Sequence, residues 1–562
     1  MRRWTLGLLL LVTALSLALR LGAISRLLPV IPEPDASSVW TYREMCGEPI
    51  GEELHKLHYG VYPLLPPWVL AALLDHAALL PAAQDAPLAE HLQAASAAYL
   101  HLRWLFGILS ALLVPVVYGV ARRLWTEGWA LLCAALVAFA LLHVAHSSVA
   151  KAHAADATFV WLTIWLSLRI CAAPSLALVA SSTLSTACAI GMMQTGFFAV
   201  PPMFVAALFA SRANSARATR VAAWLAPFAA IAGGLCFVPG GVHVGANGVT
   251  MGGHGHTILF HNLDGRGLAT WIRMFWEHDP VLAVLAGLGL FALLAGLRAA
   301  WKDLAARASW LVIGAFALPY LTVISLDELV ADRYLLPVYP LFALLATLAL
   351  RTLLARVADV RLQVLAALAV LALPAWVALH YTWIGRQPST LEQLARFVET
   401  RPGAESAKFL LSPALAPPLF PTQDSLARQI ATSTGRSQPW FYYLAKLARV
   451  PASAPAYALE TMPKQLFVRT PSAGEVQAYF DEQKPDWIVM EVSARVLAFP
   501  GARAVLEVLR AQGQRLLVLS GEHGEHPGEV PIDYQAARDL ERRVLAANAL
   551  GPQLEIYRWP AH

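Results

Sequence analysis

The stretch MRRWTLGLLLLVTALSLAL, residues 1–19, decides the class of fold, because a basic start followed by a long apolar run is typical of a membrane-spanning segment. Similar apolar runs recur up to about residue 383 and then stop. Of the 562 residues, 57% are hydrophobic and 14% are charged, whereas about a quarter of the residues in a soluble domain are charged. The sequence therefore predicts a membrane part, residues 1–383, followed by a separate polar part, residues 384–562.

Eleven apolar segments are long enough to predict helices that cross a membrane. They are 4–23, 101–121, 129–146, 156–173, 176–193, 197–211, 219–239, 281–299, 309–325, 334–350 and 363–383. Basic residues cluster at alternate segment ends, as at Arg122 and Arg123. Because such clusters favour the cytoplasmic side, they predict a multi-pass protein of the cytoplasmic (inner) membrane with a cytoplasmic N-terminus. Two long loops, 24–100 and 240–280, are then predicted outside the cytoplasm together with residues 384–562.

The first segment also has the layout of a secretory signal peptide, with a basic start and an apolar core. We expect it to be retained, because Arg20 follows the apolar core and no small-x-small cleavage site precedes Asp35. Cleavage would leave the predicted sidedness of the other segments unchanged.

The polar part alternates helix and strand signals, which predicts an extracytoplasmic α/β domain. Its first predicted helix begins with the capping-box spacing of Ser389 and Glu392. The Pro-rich stretch 412–421 is predicted to be a loop. The predicted elements are the helix STLEQLARFVE (389–399), the strand DWIVMEV (486–492), the helix ARAVLEVLRAQG (502–513), and the strands RLLVLS (515–520) and LEIYRW (554–559).

Ionisable side chains at a membrane boundary are costly, so each is a candidate functional residue. They occur in VIPEPDASSVW (30–40), AKAHAADATFVW (150–161) and LDELVADRYLLPVYP (326–340). Four charges stand out, namely Asp35, Lys151, Asp156 and Arg333. If the helices bring them together, they form an outward cavity with carboxylates for proton removal and cations for an anionic head group.

Each of these residues, taken alone, also has a structural interpretation. Asp35 and Asp156 are each placed to cap a following helix. Arg333 is also placed to extend toward the interface as an anchor. The aromatic and histidine side chains of the first loop also suit packing at the interface; they are His58, Tyr59 and Tyr62.

The order of these motifs resembles the GT-C superfamily of polyprenyl-phosphate-sugar glycosyltransferases, in particular the bacterial protein O-mannosyltransferase and lipid A aminoarabinose transferase families. The matching stretches are LALRLGAISRLLPVIPEPDASSVW (17–40), HYGVYPLLPPWVLAALL (58–74), AKAHAADATFVW (150–161) and DRYLLPVYPLFALLA (332–346). The resemblance covers roughly residues 5–350. It implies a GT-C transmembrane domain and a bacterial cell-envelope enzyme.

By this resemblance Asp35 is the catalytic base or the carboxylate that orients the acceptor, and Asp156 is the second acidic residue of the site. Lys151 and Arg333 are then the ligands of the donor phosphate. Two positions depart from the family pattern. Ala36 follows Asp35, where the family often has a second acidic residue. Lys151 stands where arginine is more usual, and a lysine neutralises phosphate as a point charge but cannot form the bidentate hydrogen bonds of a guanidinium. Further substrate contacts are implied for Arg20, His58, Tyr59, Tyr62, His153, Asp332 and Tyr334.

The implied activity is inverting transfer of a hexosyl or pentosyl group from a polyprenyl-phosphate donor, on the outer membrane face, to a glycan, lipid or protein acceptor. The expected partners are the lipid-linked sugar donor, the acceptor and membrane lipid. Nucleic acid is not expected to bind. No obligatory cofactor and no metal site are predicted, because GGHGH (252–256) and His261 match no established ligand spacing; a divalent cation is left open.

Two other classes of protein remain as alternatives. The same charges would serve a transporter of lipid-linked or anionic substrates, or the outer domain would serve a non-catalytic membrane scaffold. A transporter needs polar groups near the middle of its spans, and most of the predicted spans contain none. Release of sugar from a lipid-linked donor distinguishes the enzyme from both.

Overall fold

The structure is a computed structural model, and its description covers most of the chain. The described residues are 3–26, 28, 83, 86–213, 215–236, 242–246, 248–251, 257–259, 262–327, 330–413, 415–431, 440, 443–444, 455–520 and 544–560. They form two compact units. Unit 1 holds the described residues up to Ile24 and from Leu102 to Tyr381, and unit 2 holds those from Ser25 to His101 and from Thr382 onward. The predicted domain boundary, between residues 383 and 384, lies close to this division.

Unit 1 is built mainly of helices, many of which expose large apolar side chains such as Phe228 and Phe291, as lipid-facing helices do. The helices are α1 (Arg3–Gly22), α2 (Leu88–Ala111, of which the second half belongs to unit 1), α3 (Leu113–Leu124), α4 (Glu127–Ala138), α5 (Leu141–Ser147), α6 (His153–Ala172), α7 (Leu176–Met192), α8 (Val200–Arg212), α9 (Arg217–Leu235), α10 (Gly267–His278), α11 (Pro280–Lys302), α12 (Leu304–Leu326), α13 (Tyr339–Leu353) and α14 (Val360–Ile384). Short 3₁₀ helices, Gln194–Ala199 and Asp332–Val338, precede α8 and α13.

The described part of the chain contains eight helical segments that are long and apolar enough to cross a membrane. The pair α4 and α5 adds a ninth, bent by 53°, and α7 and Pro280–Gly296 of α11 are shorter apolar helices. Each of the eleven predicted segments overlaps one of these helices. The predicted fold class, a polytopic helical membrane protein with a C-terminal α/β domain, is confirmed. The segment predicted at 129–146 differs, because it is broken between α4 and α5.

Close contacts between helices of unit 1 depend on small residues. A Cβ added to Gly289 of α11 would lie 1.8 Å from the carbonyl oxygen of Leu345 in α13. Hydroxyl groups join α6 to α7, since Thr163 Oγ1 donates to Ser185 Oγ at 3.1 Å. Small residues and hydroxyl groups are the usual means of helix association in lipid, where the hydrophobic effect between helices is absent.

The predicted outer loop 240–280 contains secondary structure. Three antiparallel strands, β1 (Val242–Gly245), β2 (Gly248–Met251) and β3 (Thr257–Leu259), form a small sheet, and α10 follows them. The GGHGH motif and His261 lie outside the described residues.

Unit 2 is an α/β unit with a five-stranded mixed sheet. The strands are β4 (Lys408–Leu411), β5 (Ala458–Thr461), β6 (Trp487–Glu491), β7 (Gln514–Leu519) and β8 (Leu554–Arg558). Their order in the sheet is β5-β4-β6-β8-β7. The three predicted strands correspond to β6, β7 and β8. The predicted capping box is confirmed, because Ser389 N donates to Glu392 Oε2 at 2.6 Å and Glu392 N donates to Ser389 Oγ at 3.2 Å.

Helices cover both faces of this sheet, and they include both of the helices that the sequence predicted. They are α15 (Thr390–Glu399), α16 (Gln423–Ala431), α17 (Gln465–Val468), α18 (Ala473–Gln483), α19 (Ala494–Leu497) and α20 (Pro500–Gln512). One apolar core includes Leu394 of α15 and Phe409 of β4, and a second includes Phe480 of α18 and Val505 of α20. The sheet is therefore buried on two sides, as expected of an α/β layer architecture.

Gly289→Ala is expected to lower the free energy of unfolding by about 1–3 kcal/mol, because α11 and α13 must move apart to admit the methyl group. Gly287→Ala is the matched control, since an added Cβ there meets nothing within 4 Å. Thermal unfolding of both variants in the same detergent measures the difference. Equal melting temperatures would show that this close contact is not needed.

Candidate functional site

The 3₁₀ helix Asp332–Val338 lies inside unit 1 and carries three of the predicted site residues. A 3₁₀ helix of this length leaves backbone carbonyl groups that need partners when they are buried. Here the partners are side chains from three different helices, which fix the segment in place. They are Tyr320 of α12 (2.8 Å to the Tyr334 oxygen), His143 of α5 (3.0 Å to that of Leu336) and Trp161 of α6 (2.7 Å to that of Pro337).

The buried carboxylate of Asp332 lies between two histidines. His146 Nε2, from α5, is 3.6 Å from Asp332 Oδ1, and His278 Nε2, from the last residue of α10, is 3.9 Å from Oδ2. The backbone N–H of Arg333 donates to Oδ1 at 2.6 Å. Burial lowers the pKa of His278 to about 4, although Asp332 opposes the shift. Burial thus favours the neutral form of the His278 imidazole.

Two cations lie near His146, which contacts this carboxylate. Lys151, in the segment between α5 and α6, is only 4% exposed, which is rare for a lysine. His146 interacts electrostatically with both Lys151 and Arg333, so the two cations lie in the same region. The guanidinium carbon of Arg333 is 5.1 Å from the centre of the Tyr334 ring, which is a cation–π contact.

Asp156 lies in the first turn of α6 and is completely buried. Its Oδ2 accepts a hydrogen bond from Thr195 Oγ1 at 2.5 Å. Its Oδ1 has no hydrogen-bond partner among the described residues. The capping interpretation of Asp156 is not supported, because Ala152 is the N-cap residue and no side chain caps this helix.

Tyr320 links Asp156 to the 3₁₀ helix, since it interacts electrostatically with both Asp156 and Tyr334. His153, the first residue of α6, is also buried. The structure thus groups several predicted site residues in one region of unit 1, which we call the charged cluster. Its members are His146, Lys151, His153, Asp156, His278, Asp332 and Arg333.

Arg20, which the sequence predicts to contact substrate, makes hydrogen bonds to protein groups in this structure. Its guanidinium is completely buried and donates to the carbonyl oxygens of Ala138 (3.1 Å) and Val137 (3.5 Å) at the end of α4. It also donates to Ser110 Oγ at 3.1 Å and to Ser16. The other predicted residues of the first loop lie outside the described residues; they are Asp35, His58, Tyr59 and Tyr62.

Sequence reasoning missed three side chains of this region. His146 lies in a predicted span, and a histidine within an apolar run is a recognisable functional signal. His278 and Thr195 gave no such signal, because their positions depend on how distant helices pack. Within the described residues, no group of three or more His, Cys, Asp or Glu side chains is arranged to hold a metal ion.

Thr195→Val is expected to lower the free energy of unfolding by about 1–3 kcal/mol, because it removes the hydroxyl that donates to the buried Asp156 carboxylate. Thr195→Ser keeps the donor and is the matched control. Thermal unfolding in detergent compares the two. A valine variant as stable as the serine variant would show that this hydrogen bond is dispensable.

No family model matches the chain, and no curated protein matches it. Solved structures of the oligosaccharyltransferase AglB from the archaeon Archaeoglobus fulgidus are similar to it. The complex of that enzyme with an inhibitory peptide and a dolichol-phosphate has a TM-score of 0.48 and 12% identity, covering 92% of this chain and 73% of that chain. Its apo form has a TM-score of 0.46 and 11% identity, covering 92% of this chain and 73% of that chain. Its complex with Zn and sulfate has a TM-score of 0.46 and 12% identity, covering 90% of this chain and 71% of that chain.

Proposed function

We propose that this chain is a membrane glycosyltransferase that moves a monosaccharide from a polyprenyl-phosphate donor to an acceptor hydroxyl group. One observation carries the proposal: the fully buried carboxylate of Asp156 lies in the same helical region as two cations, Lys151 and Arg333, and its Oδ1 has no hydrogen-bond partner in the part of the chain that the structure describes. Charges are expensive inside a membrane protein, so their grouping in one cluster favours a site for charged chemistry.

The two cations suit a phosphate group attached to a lipid. Arg333 offers a planar guanidinium that can bind two phosphate oxygens, and Lys151 adds a compact point charge. Both are at least half-buried, so their attraction for an anion is less screened than it would be in water. A lipid phosphate reaches such a site from the membrane while its tail stays among the apolar helices.

In the proposed reaction, the acceptor oxygen forms a bond to the anomeric carbon while the bond from that carbon to the phosphate oxygen breaks. The polyprenyl phosphate leaves with the electron pair of the broken bond, and its charge is stabilised by Lys151 and Arg333. The acceptor proton passes to a carboxylate, for which we assign Asp35 from the sequence. The Oδ1 oxygen of Asp156 orients the acceptor. A single displacement of this kind inverts the anomeric configuration.

The location and the partners of this reaction belong to the proposal as well. The basic clusters of the sequence support a site on the outer face of the cytoplasmic membrane, with unit 2 outside the cytoplasm. The bacterial source is proposed from the resemblance of the sequence motifs alone. The sugar is a hexose or a pentose, and the acceptor is a glycan, a lipid or a protein. The reaction is written without a metal ion; adding EDTA, Mn²⁺ or Zn²⁺ to the assay establishes whether a divalent cation takes part.

Asp156→Asn is expected to lower kcat by about 10²-fold, because it replaces the carboxylate oxygen that orients the acceptor, and a misplaced reactant costs about that much. Lys151→Gln and Arg333→Gln should each lower kcat by about 10²–10³-fold, because each removes one stabilising charge from the leaving phosphate. Arg212→Gln is the matched control, since Arg212 lies exposed at the end of α8 and outside the cluster. Its activity should equal that of the unsubstituted protein.

The assay supplies purified protein in nanodiscs with a panel of radiolabelled polyprenyl-phosphate sugars and measures the sugar released from the lipid. Asp35→Ala in the same assay tests the proposed proton acceptor and should abolish release in a folded protein. Near-normal turnover of the Asp156, Lys151 and Arg333 variants would refute the assigned roles. Uptake of intact donor lipid without release would instead identify a transporter.

A further inference from the structure

Helix α10 has an inner face that fixes it to the rest of unit 1. Phe275 stacks on Phe342 of α13 with ring centres 4.1 Å apart. Trp271 Nε1 donates to Ser325 Oγ of α12 at 2.9 Å. His278, the last residue of the helix, contacts Asp332. The orientation of α10 is therefore set by three packed residues that lie along its length.

The rest of the α10 surface carries two different stripes. Leu268, Ile272 and Trp276 are spaced by four residues, so they share one stripe, and they are 48%, 49% and 55% exposed. Arg273 and Glu277 form an ion pair at 3.7 Å on the neighbouring stripe. The helix thus has a packed face, an exposed apolar stripe and a charged stripe on which Arg273 is exposed and Glu277 is mostly buried.

The position of α10 between two apolar helices explains why its surface is divided into these faces. Gly267 packs against the carbonyl oxygen of Ile324 at the end of α12, and only Asp279 separates α10 from the start of α11. Since Asp303 alone connects α11 to α12, these two helices are antiparallel, and their ends that adjoin α10 lie on the same side. The 12 residues of α10 extend about 18 Å between those two ends.

We infer that α10 lies in the plane of the membrane interface and binds the bilayer surface. Its apolar stripe enters the boundary between head groups and acyl chains, while the exposed Arg273 side chain faces water. Three large apolar side chains on one exposed stripe, with a tryptophan among them, are typical of interfacial helices. The occupant of the stripe is lipid, because the apolar helices at both ends of α10 also expose large apolar side chains near those ends, namely Leu326 of α12 and Val284 of α11.

The inference also assigns a depth to the charged cluster. His278 is at once the end of the interfacial helix and a contact of Asp332, so Asp332 lies at the level of the lipid head groups. This conclusion does not depend on glycosyl transfer, since it follows from the packing of α10 alone. A site at that depth is accessible to the phosphate of any lipid in the same leaflet.

The test places a single cysteine at position 272, on the apolar stripe, or at position 273, on the charged stripe, in a background that lacks the five native cysteines. Each variant is labelled with the environment-sensitive dye NBD and reconstituted as one protein per nanodisc of phosphatidylcholine and phosphatidylglycerol. Quenching by doxyl-labelled lipids should be at least about twofold greater at 272 than at 273, because an interfacial helix buries its apolar face roughly 5–10 Å into the boundary.

Equal quenching at the two positions, or water-like emission at 272, would overturn the inference. Blue-shifted emission at 272 that doxyl lipids leave unchanged would identify a protein partner and would overturn it as well. If the cysteine-free background fails to fold, a diazirine-bearing phospholipid in nanodiscs of the unsubstituted protein gives the same answer. Adducts mapped by mass spectrometry should then fall on Leu268, Ile272 and Trp276, and their absence from that stripe would contradict the proposal.

Discussion

The hydrogen bonds of Arg20 at the break between α4 and α5 support the rest of the site. Where a helix stops inside a bundle, its last carbonyl groups have no partners in the helix and carry partial negative charge. The guanidinium of Arg20 satisfies the carbonyls of Val137 and Ala138 and is held by Ser16 and Ser110. Leaving such groups buried without partners would cost about 1–3 kcal/mol each. A residue predicted to contact substrate thus allows a membrane helix to change direction by 53°.

The change of direction determines where the polar side chains of α5 point. His143 reaches the carbonyl of Leu336, and His146, one turn later, reaches Asp332. The segment Asp332–Val338 depends on such side chains, because its own backbone leaves carbonyls without partners. The charged cluster is therefore assembled where regular helices end: after α5, at the first turn of α6, at the last residue of α10 and before α13. Regular helix interiors supply the scaffold, and irregular ends supply the charges.

Much of this architecture follows from local patterns in the sequence. Apolar runs located the helices, the spacing of Ser389 and Glu392 located a helix start, and ionisable residues at span ends located Lys151, Asp156 and Arg333. The break after α4 was missed because Phe139 and Ala140 are neither proline nor glycine. The meeting of His146, His278 and Asp332 was missed because it depends on long-range packing, which periodicity does not encode. The roles of the cluster residues in catalysis stay predictions.

The bond between Arg20 and Ala138 also has a consequence for biosynthesis. The two residues are 118 positions apart, so at about 5–20 residues per second the ribosome needs roughly 6–24 s to supply the second after the first. During that interval the guanidinium must stay hydrated, and its location near the end of α1 allows it to reach the membrane surface. Maturation of the chain therefore includes a delayed step, in which this arginine exchanges water for the carbonyl oxygens of Val137 and Ala138 only after a much later helix has been inserted.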